Sequence, residues 1–229
     1  FNLKNVNQQL IAENTLLKQQ LNWNLTFNSP RRDSTYRDTN TGNFVKYEYI
    51  QARVIRNSVQ EQNNFIILDR GFKDGIKRHM SVVSPMGIVG VVVEVNDNYS
   101  KVMSLLHRNS KVSAMLKKDR VAGSVEWDGG DPSILMLKNI SKSAAPKIGD
   151  TVLTSPYSAS FPAQLMIGRV VKIIIDPSSN FLTLNVKSAT NFYNLEYIYL
   201  VENKRMAEQS NIEDRKSTRL NSSHTVVSR

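Results

Sequence analysis

The 229-residue chain contains no cysteine, only three histidines and two tryptophans, and few aromatic residues of any kind. Without cysteine there is no disulfide, no thiolate nucleophile and no cysteine-based metal site. The histidines, His79, His107 and His224, stand far apart and lack metal-ligand spacing. Long apolar runs are missing too: no stretch approaches the ~20 residues of a membrane-spanning helix. The glycines form neither a P-loop nor a dinucleotide-binding fingerprint. No cofactor or metal is therefore expected. What is present is a 40% hydrophobic composition, enough for a buried core and against wholesale disorder. The net charge of +10 would suit acidic partners, but it is dispersed over short pairs such as Arg31-Arg32 and Lys117-Lys118. No basic run interleaved with aromatics appears, so nucleic acid is not an expected partner.

The pattern changes three times along the chain. Residues 1–27 lack Gly and Pro, and Leu3, Leu10 and Leu17 recur every seven residues, with Asn7, Asn14 and Leu21 four positions after each. Leu at d and Asn at a predict a parallel, in-register homodimeric coiled coil, because a buried a-position Asn bonds its twin and penalises other registers. The same stripe, widened by Val6 and Ile11, would also serve a single amphipathic helix packed on the domain. Residues 28–43 are polar and aperiodic and read as a linker. From Phe44 to Glu202 the chain breaks into a dozen short β-branched runs closed by turn residues, from "YIQARVIRNS" to "YIYLVEN". Even spacing of short strands without a convincing helix predicts barrels or sandwiches.

Glycines punctuate these runs. Gly71 and Gly75 flank "FKDG", where a chain reversal asks for positive φ. Gly87 and Gly90 bracket Ile88-Val89 and predict a bulge or barrel corner. Residues 203–229 are expected to pack against nothing, and the Ser-rich end 216–229 reads as non-native sequence. The chain also opens at Phe1, already inside a helical pattern, so an upstream segment carrying a signal or anchor is expected.

A β protein with His, Asp and Ser in that order invites a trypsin-like reading. Its candidates are His79, one of Asp97, Asp119 or Asp150, and Ser155. The contexts oppose it. "IKRHM" offers His79 no orienting carboxylate, and Pro156 after Ser155 has no N–H for an oxyanion hole. Catalysis is not expected.

Three segments supply the sharpest signal. "LDRGFKDGIKRHMSVVSPMGIVGVVVEV" carries a Gly-x-x-x-Gly turn, a Met-x-Val-Val strand and a Gly-Ile-Val-Gly-x-Val strand. "YSKVMSLLHRNSKVSAMLKKDRVAGSVEW" runs strand, polar connection, strand, then Gly-x-x-x-Trp. "GDTVLTSPYSASFPAQLMIGRVV" places Gly149-Asp150, Thr154-Ser155, Phe161-Pro162 and Gly168-x-Val170 in order. In this register, after a coiled coil, they resemble the MreC family of bacterial rod-shape-determining proteins over roughly residues 1–202. Two departures stand out: Pro156 where the family has Gly after Thr-Ser, and Ala163-Gln164 where it has Gly after Phe-Pro.

The resemblance implies a mainly β protein, with the N-terminal coiled-coil helix followed by two small six-stranded barrels. The simplest split puts one barrel at 44–112 and the other at 113–202, with strands shared if the first pairs with later ones. It further implies a single-pass inner-membrane protein anchored by an upstream helix, with this region in the periplasm or extracytoplasmic space. As a non-enzymatic scaffold of cell-wall elongation, it would self-associate as dimers or filaments. Its expected contacts are MreD, RodA and the elongation-specific penicillin-binding transpeptidase, and indirectly MreB. The competing expectations are the trypsin-like hydrolase and an exported polymer-binding β-domain.

Overall fold

The computed structural model describes residues 47–203, apart from 159, together with Leu10, Glu13 and Leu17. Twelve strands follow one another: β1 (Tyr47–Asn57), β2 (Asn63–Leu68), β3 (Ser81–Val83), β4 (Ile88–Val95), β5 (Ser100–His107) and β6 (Val112–Leu116), then β7 (Ala122–Glu126), β8 (Ile134–Ser141), β9 (Thr151–Thr154), β10 (Met166–Ile175), β11 (Phe181–Ser188) and β12 (Tyr197–Asn203). Short 3-10 turns at Phe72–Asp74, Lys142–Ala144 and Phe192–Asn194 join some of them. The heptad residues Leu10 and Leu17 are helical and half exposed, whereas Leu3, Asn7, Asn14 and Leu21 lie outside the described residues. So do the linker 28–43 and the tail from 204 onward.

The strands close into two six-stranded barrels, ordered β1-β12-β3-β4-β5-β2 and β10-β11-β8-β7-β6-β9, every pair antiparallel. Alternation sets the inner face. Asn64, Ile66 and Leu68 point inward from β2, as do Leu182, Leu184 and Val186 from β11. β-Branched and leucine side chains fill most of the interior, β1 contributing Tyr49 and Ala52 instead, and the buried residues of both barrels form one cluster. Closure removes most of the free edges that such apolar strands would otherwise present.

The simple split at residue 112 gives way at the chain's end to the other expectation, a first strand that pairs with a later one. β12 does not join the second barrel. It sits between β1 and β3 and completes the first. The reason is a repeat that the barrels share. β3 pairs β4 through Ser81↔Val91 and Val82↔Gly90, then skips Val89; β9 pairs β10 through Thr151↔Arg169 and Val152↔Gly168, then skips Ile167. The next pair skips Val93 in one barrel and Val171 in the other. Thus β1–β5 match β7–β11, and β12 takes in barrel 1 the place that β6 takes in barrel 2. The chain is two tandem six-strand units whose last strands have been exchanged.

The exchange ties the barrels together. The β11–β12 connection passes between them, where the Thr190 hydroxyl donates to the Ile88 carbonyl (2.9 Å) and lies 3.2 Å from Ser84 Oγ. Nearby, Asn57 Nδ2 donates to the Phe192 carbonyl at 2.6 Å. Gly87 belongs to this seam, since a Cβ there would stand 2.7 Å from the Met166 carbonyl.

Candidate interaction surface

The Gly149–Val171 stretch, which looked most like the lip of an active site, is a self-bonded loop. Gly149 has φ of 90° and donates its N–H to Val170 (2.8 Å), which starts the β9–β10 pairing. The Asp150 carboxylate accepts the Lys147 N–H at 2.8 Å and fixes the turn before β9. Thr154, fully buried, donates its hydroxyl to the Pro162 carbonyl (2.6 Å) and accepts the Leu165 N–H (2.8 Å). Phe161 is buried beside this loop neck. Ser155 is 1% exposed, its N–H bonded to Ser113 and its Oγ accepting from the Tyr157 N–H at 3.1 Å. Ser158 N–H returns to the Ser155 carbonyl at 3.1 Å, so Pro156 stands at the second position of a β-turn that its fixed φ suits.

That geometry answers the hydrolase reading. Ser155 is a buried turn residue, and the Asp150 carboxylate is committed to backbone. His79 lies before β3 and Ser155 after β9, at opposite ends of equivalent strands in different barrels. His79 occupies the place that Gly149 has in the repeat: its φ is 69° and its N–H bonds Val92 at 2.9 Å. It is a turn former.

The remaining signature glycines divide by cause. Gly75, at φ 81°, caps the Phe72–Asp74 turn. Gly71 was expected to share a positive φ but is extended; it is required because a Cβ would lie 2.3 Å from the Asn96 carbonyl. Gly90 and Gly168 are twins in the repeat, where a Cβ would meet the Met103 and Lys187 carbonyls at 2.2 and 2.1 Å. Gln164, at φ 66°, adopts the left-handed conformation that glycine enters most easily.

Ionisable groups serve structure as well. Burial alone would raise the Glu126 carboxyl, but Lys138 (2.9 Å) and Lys111 (3.2 Å) together hold its pKa below the usual value. Burial pushes His107 down; its Nδ1 accepts the Asn109 N–H at 3.0 Å and its ring meets Phe65 edge-on. Among the described residues no cluster could hold a metal ion.

What the surface offers is apolar and mixed-charge relief. An open groove of about 660 Å³ lies over β1, β2, β4 and β5, with Phe65, Tyr99, Arg56 and Glu94 in its wall and Lys101 Nζ 4.3 Å above the Phe65 ring. Tyr157 and Phe72 stand exposed on loops, and a third exposed apolar group sits on β10 and β11. Sequence reasoning missed all of these; the groove in particular is walled by segments distant in the chain, 56–67 and 94–101.

A sequence profile described as "Rod shape-determining protein MreC, barrel core" matches residues 54–202. The chain belongs to the MreC family. The cell shape-determining protein MreC of Listeria monocytogenes is 28% identical over 177 residues, covering 76% of this chain and 59% of that one. This MreC-family chain thus spans about three-fifths of the length of that curated relative. A solved MreC structure from the same genus and species has 27% identity, a TM-score of 0.67, and covers 88% of this chain and 92% of its own. A structure described as a complex between a penicillin-binding protein, PBP2, and MreC from Helicobacter pylori has 20% identity and a TM-score of 0.56, over 69% of this chain and 99% of that one. That last likeness concerns the fold alone.

Proposed function

We propose that this MreC-family chain is the barrel portion of a non-enzymatic, membrane-anchored scaffold for rod-shaped cell-wall elongation. The observation that carries the reading is the family match across both barrels, including the exchanged strand β12. The H. pylori relative's description with a penicillin-binding protein supports a transpeptidase as one partner. MreD, RodA and, across the membrane, MreB complete the proposed set.

Anchoring rests on an upstream helix, and the working location is outside the inner membrane. Leu3, Asn7, Leu10, Asn14, Leu17 and Leu21 form the proposed parallel dimer seam, holding two barrel pairs at a common height. The signature residues Gly71, Gly75, Gly87, Gly90, Gly149, Asp150, Thr154, Ser155, Phe161, Pro162 and Gly168 shape the barrels that partners contact. Repetition of such weak contacts along an assembly raises their combined strength. Affinity co-purification from solubilised bacterial membranes tests this: recovery of the transpeptidase, MreD or RodA is expected, and recovery of none of them would refute it.

A further inference from the structure

The second barrel is closed around most of its girth, but one strand overhangs. β9 pairs with β10 only between Met166 and Arg169, and the last backbone bonds on that side join Val170 to Gly149 and Asp150. β10 continues to Ile175 with β11 as its partner. Among the described residues no backbone group bonds the β9-side edge of Val171–Ile175.

The repeat supplies an internal control. Residues 94–97 of barrel 1 correspond to 172–175, and there the edge is sealed: Phe72 and Lys73 donate N–H groups to the Asn96 and Asp97 carbonyls at 2.9 and 3.1 Å. The equivalent 3-10 turn of barrel 2 reaches only by a side chain, Lys142 Nζ to the Asp176 carbonyl at 3.1 Å. The open edge is also apolar. Ile174 is 39% exposed, Ile175 66% and Phe181, beyond the hairpin, 51%. An unprotected apolar edge is a template for another strand.

The edge reads Lys172-Ile173-Ile174-Ile175-Asp176. Turned antiparallel about Ile174, it complements itself: Ile174 meets its twin, Ile173 meets Ile175, and Lys172 meets Asp176 on both sides of the axis. Ser178 N–H and hydroxyl bond Asp176 through Oδ1, at 2.8 and 2.6 Å. We propose that the β10 edges of two copies of this chain pair antiparallel about Ile174, joining their second barrels in a continuous β8-β11-β10-β10-β11-β8 sheet. The charge order selects a second copy, since a different partner strand would have no cause to find its complement in this palindrome. This contact is independent of the proposed coiled coil; either can fail alone, and both together would link dimers into a chain.

The absence of native cysteine makes the test direct. Directly opposed residues of an antiparallel pair have Cβ atoms about 5 Å apart. In the full-length chain, Ile174→Cys is expected to form intermolecular disulfides under mild oxidation at least about tenfold faster than Tyr157→Cys, an exposed control. Equal rates would overturn the pairing. Lys172→Asp and Asp176→Lys each set like charges opposite one another and should weaken association about tenfold. Mixing those two variants restores opposite charges at every position, and sedimentation should show them associating with each other. Failure of the mixture to associate, with both variants folded by circular dichroism, would overturn the proposed register and its partner.

Discussion

Replacing Gly168 by alanine puts a number on why the repeat needs its glycine. The added Cβ would lie 2.1 Å from the Lys187 carbonyl oxygen and 2.8 Å from Val186 Cγ1, against ordinary contacts beyond 3.4 Å. The nearest atom is backbone of the paired strand, so relief requires β10 and β11 to part by more than an ångström. Overpacking of this kind costs about 1–3 kcal/mol, and each ladder bond stretched beyond use adds about 1 kcal/mol. We expect about 3 kcal/mol in total, a fall in Tm of about 6–12 °C for a domain of this size. Gly149→Ala separates dihedral from steric cost: no atom lies within 4 Å of its Cβ, but φ is 90°. It should lose only about 1–2 kcal/mol. Gly90→Ala, at 2.2 Å from the Met103 carbonyl, should match Gly168→Ala although it lies in the other barrel. Urea unfolding followed by circular dichroism measures all three. A loss below about 1 kcal/mol for Gly168→Ala, or a larger loss for Gly149→Ala, would refute the close-approach argument.

Further outcomes follow from the same geometry. His79→Gly and Gln164→Gly should each stabilise by about 0.5–1 kcal/mol in denaturant titrations, because both residues occupy left-handed backbone that glycine enters without strain. Glu126→Gln should cost about 1 kcal/mol at neutral pH by leaving Lys138 without its charged partner. The Glu126 carboxyl is depressed in the fold, so its stabilisation is present above the ordinary carboxylate value and lost as pH falls through the lowered one; the glutamine variant should show a shallower acid limb. His107 is also depressed, so the unfolded chain takes the proton first and stability declines as pH falls from 6.5 toward the lowered value. Thermal melts of His107→Gln should lack that decline.

All twelve strands were legible, because most are apolar runs with β-branched residues, and Gly, Pro, Asp, Asn or Ser follows each within a few positions. "FLTLNVKS" and "YIYLVEN" coincide with β11 and β12. Which strands pair was not legible. The alternation of Tyr197–Asn203 shows which side chains turn inward, but carries no mark that β12 must return to Tyr47–Arg53. The family resemblance reached the fold through residues like Thr154 and Gly168, whose spacing reflects loop necks and close approaches. It could not reach the surface. The Phe65–Lys101 groove and the β10 edge arise where non-adjacent segments end beside, or fail to reach, one another. Gly71 shows the same limit at one residue: its type signalled constraint, while the cause, a neighbouring carbonyl, came from a distant turn.

The exchange of last strands also sets an order in time. Barrel 1 begins at Tyr47, yet the partner of that residue is Asn203 in the last strand. Closing a loop on the order of 150 residues long carries a modest entropic cost, but it cannot be attempted until the whole second barrel has been synthesised. Until then β1 and β3 wait with bare edges flanking the vacancy that β12 will fill. The first barrel begun is therefore the last finished, and a chain cut short before Tyr197 would leave its earliest strands exposed to the wrong partner.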